Sequence, residues 1–155
     1  MSSALLLERH FFTKLELNPN PDGKPEGKIN VVCAAAIGNA SDDPARYQIT
    51  LAVTISPDPK APAKPYYSGV VEIVGFFRVA PSYKDDPVRL VNISGSSILY
   101  GAVRELFCNL TARGPWPMVT LPTMNFTPQA TESGQVKKKA SPQTALPAAA
   151  PAVSQ

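Results

Sequence analysis

The segment SSILYGAVRELFCNLTARGPWPMVTLPTMNF, residues 96–126, decides the layout of the fold, because it holds a helical pattern followed by an apolar loop. Its first half places apolar residues at i, i+4, i+7 and i+11, the spacing of one helix face. That stripe consists of Leu99, Val103, Leu106 and Leu110. The pattern predicts a helix over 96–113 that lies across one face of a sheet, with Leu106 toward the core.

The two ends of this helix carry conventional boundary residues. Ser94 or Ser96 can cap the first turn, since a serine hydroxyl accepts hydrogen bonds from free N–H groups there. Gly114 is expected to stop the helix in the left-handed conformation, and Pro115 prevents continuation. The following residues, 115–126, contain three prolines among apolar residues. They predict an irregular loop that lies flat on the core.

Upstream of the helix, four apolar segments with β-sheet patterns predict four strands. The clearest alternates Tyr47, Ile49, Leu51, Val53 and Ile55 with more polar residues, which is typical of a half-buried strand. No helix separates the four segments, so an antiparallel, meander-like sheet is expected. The predicted strands are 4–17, 28–37, 46–55 and 66–80, and one short helix is predicted within 84–94.

The predicted first and fourth strands carry further expectations. In the first, Leu7, Phe11, Leu15 and Leu17 are expected on one face. In the fourth, Gly75 marks a bulge or a point of close packing. The connector 18–27 is longer than a hairpin turn needs, so it could carry the chain across the sheet.

Composition sets the class of protein. The chain has 155 residues, 44% of them apolar, and a net charge of +3. Lys137–Lys139 account for the excess of positive charge, so residues before them show no nucleic-acid-binding balance. Two cysteines are too few for a disulfide scaffold. Neither a signal peptide nor a membrane-spanning segment is apparent, so we expect a cytoplasmic protein without membrane insertion.

Residues 127–155 differ from the rest, with no aromatic residue and a composition of mainly Ala, Pro, Ser, Thr, Gln and Lys. We therefore predict one folded domain over 1–126 and a disordered tail over 127–155.

Motifs for catalysis, metals or nucleotides are not found in this sequence. His10 is the single histidine, and no phosphate-binding glycine motif occurs. The pairs Asp42–Asp43 and Asp85–Asp86 each precede a proline, which is typical of turns rather than of catalytic carboxylates. We expect no cofactor, no metal and no enzymatic activity.

Residues 98–126 resemble the most characteristic segment of the SecB family of export chaperones. That family reads I-L-[FY]-P-Y-A-R-E, then R-G-[TG]-F-P, then A-P-V-N-F. Departures are Gly101 and Ala102 in place of Pro-Tyr, and Leu15 in place of an aspartate in the first strand. The matching residues are Ile98, Leu99, Tyr100, Arg104, Glu105, Arg113, Gly114, Pro117, Asn125 and Phe126, with Trp116 in the aromatic position.

The resemblance implies an α+β, SecB-like domain: a four-stranded antiparallel sheet with a crossover between strands one and two and helices on one face. It implies a homo-oligomer, a dimer of dimers, that holds unfolded precursor polypeptides for export and delivers them to SecA. On the same basis, a client groove is expected at Phe76, Trp116, Pro117, Met118 and Phe126. An oligomer interface is expected at Val70, Glu72 and Arg104.

Three functions stay open from the sequence. The first is a holdase chaperone for protein export. The second is a SecB-like chaperone dedicated to a single partner such as an antitoxin, and the third is an oligomeric assembly protein without chaperone activity.

Overall fold

A computed structural model describes residues 2–127 as a four-stranded antiparallel sheet with helices on one face. The strand order is β1-β4-β3-β2, so β1 and β2 form the two edges and the chain crosses over between them. The predicted α+β architecture and crossover are confirmed. The strands are β1 (Leu5–Pro19), β2 (Ile29–Asn39), β3 (Arg46–Pro57) and β4 (Tyr67–Val79).

The crossover loop between β1 and β2 packs against the loop between β3 and β4. The Asn20 N–H donates to the Tyr66 carbonyl at 2.8 Å, and the Lys24 N–H donates to the Lys64 carbonyl at 3.0 Å. Gly27 is required by this approach, because a Cβ there would overlap the Lys64 carbonyl. Backbone contacts between two loops therefore fix the path across the sheet.

The helix side of the sheet forms the core. Side chains alternate between the two faces of a strand, and the odd-numbered residues of β3 and β4 point toward the helices. The alternation predicted for β3 is confirmed, since its five apolar residues on that face are all buried. They are Tyr47, Ile49, Leu51, Val53 and Ile55.

Two bulges in β1 place some of its apolar residues on a different face of the sheet from the one predicted. The register against β4 shifts between Leu7 and Arg9 and again between Phe12 and Lys14, which leaves Glu8 and Thr13 as extra residues. Each bulge reverses the alternation. Leu7 and Leu15 therefore lie on the helix side, whereas Phe11 lies on the far side, contrary to the expectation of one shared face.

The short helix predicted within 84–94 is present, and a π-helical turn joins it to the long helix. Helix α1 (Pro87–Leu90) passes through a π-helical turn (Val91–Gly95) into α2 (Ser96–Thr111). Asp86 caps α1 by accepting from the N–H groups of Val88 and Arg89. The expectation that Ser94 or Ser96 caps α2 is wrong, because the chain is already helical there. Within residues 2–127, the buried Ser96 hydroxyl has no hydrogen-bond partner.

Two glycines permit close packing around α2. A Cβ at Gly114 would overlap the Tyr67 hydroxyl, so glycine is required there for space. Its φ is not in the left-handed region, so the predicted left-handed stop is wrong. Gly75 is a point of close packing, since a Cβ there would lie 2.7 Å from Leu99 Cδ2.

The buried stripe of α2 is rotated from the predicted one. Leu106 and Leu110 are half-buried, and Phe107 takes the central position instead. The cause is the loop 115–126, which covers the Tyr100 side of the helix and extends the buried arc in that direction. The buried residues are Ser96, Leu99, Tyr100, Val103, Phe107 and Thr111.

The predicted tail is almost wholly outside the structure. Only Thr127 of the segment 127–155 is described, so the prediction of disorder there stays a prediction. Within residues 2–127, no helix combines the length and the apolar character needed to cross a membrane.

Candidate functional site

The loop 115–126 has no regular structure, and polar side chains of α2 and β4 hold its backbone in place. The Tyr67 hydroxyl accepts from the Trp116 N–H at 3.0 Å and donates to the Trp116 carbonyl at 3.1 Å. The Thr111 hydroxyl accepts from the Val119 N–H at 3.0 Å. Arg104 Nε donates to the Leu121 carbonyl at 3.1 Å. A proline-rich loop is thus fixed on the core, as predicted.

Trp116 connects this loop to the crossover loop between β1 and β2 and to the loop between β3 and β4. Its ring stacks on Tyr66 at a centroid distance of 5.3 Å, and its Nε1 donates to the Asn20 carbonyl at 3.0 Å. The side chain is half-buried, whereas Pro117 and Met118 are exposed, Met118 by 59%. Trp116 therefore anchors the loop, and Met118 offers free apolar surface.

Phe126 lies at the other end of the loop. It packs edge-on against Tyr100 at 5.8 Å, and the Tyr100 hydroxyl donates to the Pro122 carbonyl at 2.6 Å. Burial raises the pKa of Tyr100 to about 12, so the hydroxyl keeps its proton at neutral pH. The loop is closed at this end by an aromatic pair and a hydrogen bond.

An open apolar pocket separates this loop from the edge strand β2. Its volume is about 410 Å³, within the usual range for ligand sites. The lining residues are Gly27, Lys28, Ile29, Pro65, Tyr66, Tyr67, Val119, Thr120 and Pro122. We call the pocket together with the helix-side residues Ile29, Val31 and Cys33 of β2 the β2 groove. All three side chains are half-buried.

The thiol of Cys33 continues the β2 groove beyond the pocket. Burial raises the pKa of Cys33, so this thiol is protonated and acts as a small apolar group. Across the described residues 2–127, no cluster of three or more His, Cys, Asp or Glu side chains is placed to hold a metal.

The structure places Phe76 away from the other predicted groove residues. It is an even-numbered residue of β4 and faces the side of the sheet without helices. There its ring lies 6.1 Å from Phe11, with the Arg46 guanidinium 5.7 Å above it. Trp116 and Phe126 are on the helix side, so the sheet separates Phe76 from them.

The three predicted interface residues do not form one surface. Val70 and Glu72 share the far side of β4, and Glu72 Oε1 accepts from the Thr13 hydroxyl at 2.6 Å. Arg104 belongs to α2, and its guanidinium binds the loop carbonyl of Leu121.

A second exposed apolar surface lies along β1. On the helix side of this edge strand, Phe12 is 37% and Leu15 is 50% exposed. Leu7 and Leu17, on the same side of β1, are half-buried. Apolar side chains of this number on a free edge indicate a surface that another chain could cover.

An ion-pair network occupies the far side of the sheet, where β1, β3 and β4 meet. The carboxylate of Glu8 bridges Arg46 at 2.7 Å and Arg78 at 2.8 Å, and Arg78 also reaches Asp43 at 2.6 Å. The Arg78 hydrogen bond chiefly holds the pKa of Glu8 below its ordinary value of 4.5. The pKa of Asp43 is lowered mainly by the Ala45 N–H and then by Arg78.

We predict an acid dependence of stability from this network. A carboxylate whose folded pKa is depressed stabilises the fold above its unfolded pKa, and this contribution is lost as pH falls through the folded pKa. The pH range is therefore below about 4.5, where Glu8 and Asp43 take up protons. Glu8→Gln should flatten the fall of the melting temperature with decreasing pH. Glu105→Gln, at an exposed helix position, should leave the curve unchanged; equal curves for wild type and Glu8→Gln would contradict this role.

Sequence reasoning missed most residues that line the pocket. The sequence predicts Tyr66 as a strand residue, and nothing in it distinguishes Ile29 or Val119 from other apolar residues. These three belong to separate segments and meet only because the crossover loop packs beside the β3–β4 loop. One indication of the pocket was present in the sequence: Pro65–Tyr66 is a proline–aromatic pair at the end of a connector.

Comparison with known proteins supports the fold. No family model matches the chain. An uncharacterized protein of Methanocaldococcus jannaschii is 26% identical over 123 residues, which are 79% of each chain. A SecB-like chaperone of Mycobacterium tuberculosis, solved in complex with a ChAD peptide from the HigA1 antitoxin, superimposes with a TM-score of 0.62. It is 16% identical, and the match covers 79% of this chain and 91% of that one.

A protein of unknown function from Streptococcus agalactiae aligns with a TM-score of 0.39 at 17% identity, over 76% of this chain and 96% of that one. The superposition on the Mycobacterium tuberculosis chaperone shows that this chain has a SecB-like fold.

Proposed function

We propose that this protein is a chaperone that holds unfolded polypeptide segments in the β2 groove and catalyses no reaction. The observation that carries the proposal is the open apolar groove between an edge strand and a fixed loop. A groove of this kind buries client side chains at about 25 cal/mol per Å² and needs little sequence specificity. The SecB-like fold supports the same function.

The chaperone could serve one of two purposes. The first is export, with delivery to SecA. The second is a single dedicated partner, and one observation favours it: acids on the far side of the sheet are engaged. Glu8 and Asp43 are paired with arginines, and Glu72 bonds Thr13, which leaves little free acid for a basic docking partner. The structural relative bound to an antitoxin peptide supports this candidate.

We propose further that the chain assembles into a cytoplasmic homo-oligomer through the apolar surface along β1. Phe12 and Leu15 would be covered by a second copy, and a dimer of dimers is expected. Light scattering on the full chain tests this proposal. A monomer of 16.5 kDa at micromolar concentration would contradict it.

Binding of an unfolded client should depend on the face of β2 that carries the β2 groove. Val31 faces this groove, whereas its neighbour Val32 faces the far side and is 52% exposed. The client is reduced, carboxymethylated α-lactalbumin with a fluorescent label, and binding is measured by anisotropy without nucleotide. Val31→Glu should weaken binding by roughly tenfold or more, since a charge enters an apolar site. Val32→Glu is the matched control and should bind normally.

Two other outcomes would contradict parts of this proposal. Equal binding by both variants, with normal circular dichroism and oligomer size, would place the client site elsewhere. Failure of the wild-type protein to bind any unfolded client would favour the assembly-protein alternative. Binding should survive moderate salt, because salt screens charge contacts far more than burial of apolar surface.

A further inference from the structure

A second apolar pocket lies at the end of the sheet where β3 begins and β4 ends. Its volume is about 280 Å³, and the whole length of β4 separates it from the pocket of the β2 groove. We call it the Tyr83 pocket. Aromatic surfaces of this kind dock extended segments that contain proline. The side chains that form its walls are two tyrosines and three prolines: Tyr47, Tyr83, Pro44, Pro81 and Pro87.

Acidic residues flank the Tyr83 pocket on two sides. The pairs Asp42–Asp43 and Asp85–Asp86 each precede a proline that lines it. Asp43 is paired with Arg78 at 2.6 Å, and Asp86 caps α1. Asp42 and Asp85 are exposed, and within residues 2–127 neither forms an ion pair. Two unpaired carboxylates of this part of the chain therefore stand beside an apolar pocket.

Basic residues near the Tyr83 pocket offset this negative charge only in part. Lys84 is the nearest base along the chain, and its ammonium donates to the Pro81 carbonyl at 3.3 Å. Arg89 follows Pro87 by two residues on α1, and residues two apart on a helix do not share a face. In contrast, Lys28 lines the pocket of the β2 groove. A basic segment therefore matches the Tyr83 pocket better than it matches the β2 groove.

The chain leaves the described structure on the side of the molecule that holds the Tyr83 pocket. The loop 115–126 runs antiparallel to α2. Thr111, at the end of the helix, binds the first half of the loop, whereas Phe126 packs on Tyr100 in the first half of the helix. The start of α2 adjoins the π-helical turn and α1, whose first residue lines the pocket.

The sequence that follows carries chemistry that matches this pocket. Residues 128–155 lie outside the described structure, and Lys137–Pro142 within them reads Lys-Lys-Lys-Ala-Ser-Pro. Three ammonium groups there precede a proline, and the segment contains no acid. Lys137 follows Thr127 by ten residues. Ten residues can span up to about 35 Å, which is enough to reach the pocket from the end of the loop.

We propose that Lys137–Pro142 docks on the Tyr83 pocket of its own chain, with Pro142 against the tyrosine rings and the lysines beside Asp42 and Asp85. A linker of this length raises the effective concentration to about the millimolar range, so contacts that are weak between separate molecules suffice. The interaction does not depend on the proposed chaperone function. It gives a role to the three lysines that account for the excess of positive charge.

Carbodiimide coupling of the full chain tests this contact, because the reagent joins an amine to a carboxylate without a spacer. Unlabelled chains and chains labelled with heavy nitrogen are mixed in urea, refolded together, coupled at micromolar concentration and mapped by mass spectrometry. The lysines of 137–139 should be linked to Asp42 or Asp85, with the same isotope on both sides. Links spread evenly over exposed acids elsewhere, such as Glu26 and Glu105, overturn the proposal. Links of mixed isotope overturn the assignment to the same chain.

Trypsin cleavage after the lysines of 137–139 provides a second measurement on the full chain. Docked lysines are inaccessible to the protease, so Tyr83→Ala should speed this cleavage roughly tenfold, the change expected when about nine chains in ten are docked. Asp85→Asn should speed it about threefold, since it removes one exposed charge contact. Asp22→Asn is the matched control, because Asp22 is exposed in the crossover loop at the other end of the sheet.

The cleavage rates decide the proposal together with the coupling result. Asp22→Asn should be cut at the wild-type rate. Equal rates for the wild type, Tyr83→Ala and Asp85→Asn would show that the lysines are not docked, and the proposal would then be wrong. If Tyr83→Ala fails to fold by circular dichroism, Asp85→Asn and the coupling of the wild-type chain still decide.

Discussion

Phe107→Ala should lower the free energy of unfolding by about 3–5 kcal/mol, the usual cost of removing a buried aromatic side chain. Phe107 is 1% exposed and lies at the centre of the buried stripe of α2, between Val103 and Thr111. The substitution leaves a cavity between the helix and the sheet that its neighbours can only partly fill. Urea unfolding followed by circular dichroism gives the measurement.

Leu106→Ala is the matched control, one residue earlier on the same helix. Leu106 is half-buried at the margin of the core, so its truncation should cost clearly less, about 1–2 kcal/mol. A larger loss at Leu106 than at Phe107 would show that α2 presents the originally predicted stripe to the sheet.

Trp116→Ala should lower the free energy of unfolding by about 2–3 kcal/mol, less than a fully buried tryptophan because the ring is half-exposed. The change removes both the stack on Tyr66 and the hydrogen bond to the Asn20 carbonyl. Tyr66 lines the pocket, so the loss of its support should also weaken client capture. Thermal unfolding and anisotropy with unfolded α-lactalbumin measure the two effects.

Trp116→Phe separates the two contributions. Phenylalanine can keep the stack on Tyr66 but cannot donate to Asn20, so most of the stability and client binding should remain. If Trp116→Ala leaves both stability and capture unchanged, the anchoring role assigned to Trp116 is wrong.

The sheet was predictable from sequence because β3 alternates cleanly and the connectors are rich in proline and glycine. Its faces were predictable only in part. Phe76 and Phe77 are adjacent, and apolar residues occupy both parities of β4, so the pattern alone could not decide which phenylalanine faces the core. The structure buries Phe77 and leaves Phe76 on the far side.

Non-local contacts explain the remaining differences. The bulge at Glu8 reverses the alternation in β1, and its ion pairs with Arg46 and Arg78 arise only once three strands are adjacent. The stripe of α2 is set by the loop 115–126, which covers one side of the helix. The pocket is assembled from three separate segments, so no local pattern could place it.

Asp86 illustrates a local signal with two interpretations. The pair Asp86–Pro87 predicts a turn, and the structure uses Asp86 as the cap of α1. Both interpretations rest on the same short side chain that bonds backbone N–H groups. Nothing in the sequence before Ser96 predicts the π-helical turn that joins the short helix to α2.

Hydrogen–deuterium exchange of the full chain, with and without unfolded α-lactalbumin, tests the central claim most directly. Client bound in the β2 groove should slow exchange of amides in β2, which forms one wall of the groove, and in the loop 115–126. Exchange of the β3 amides should not change, because β3 is already hydrogen-bonded to β2 on one side and to β4 on the other. Slowed exchange confined to β1, or no change anywhere in residues 2–127 at saturating client, would contradict the proposal that this groove binds unfolded polypeptides.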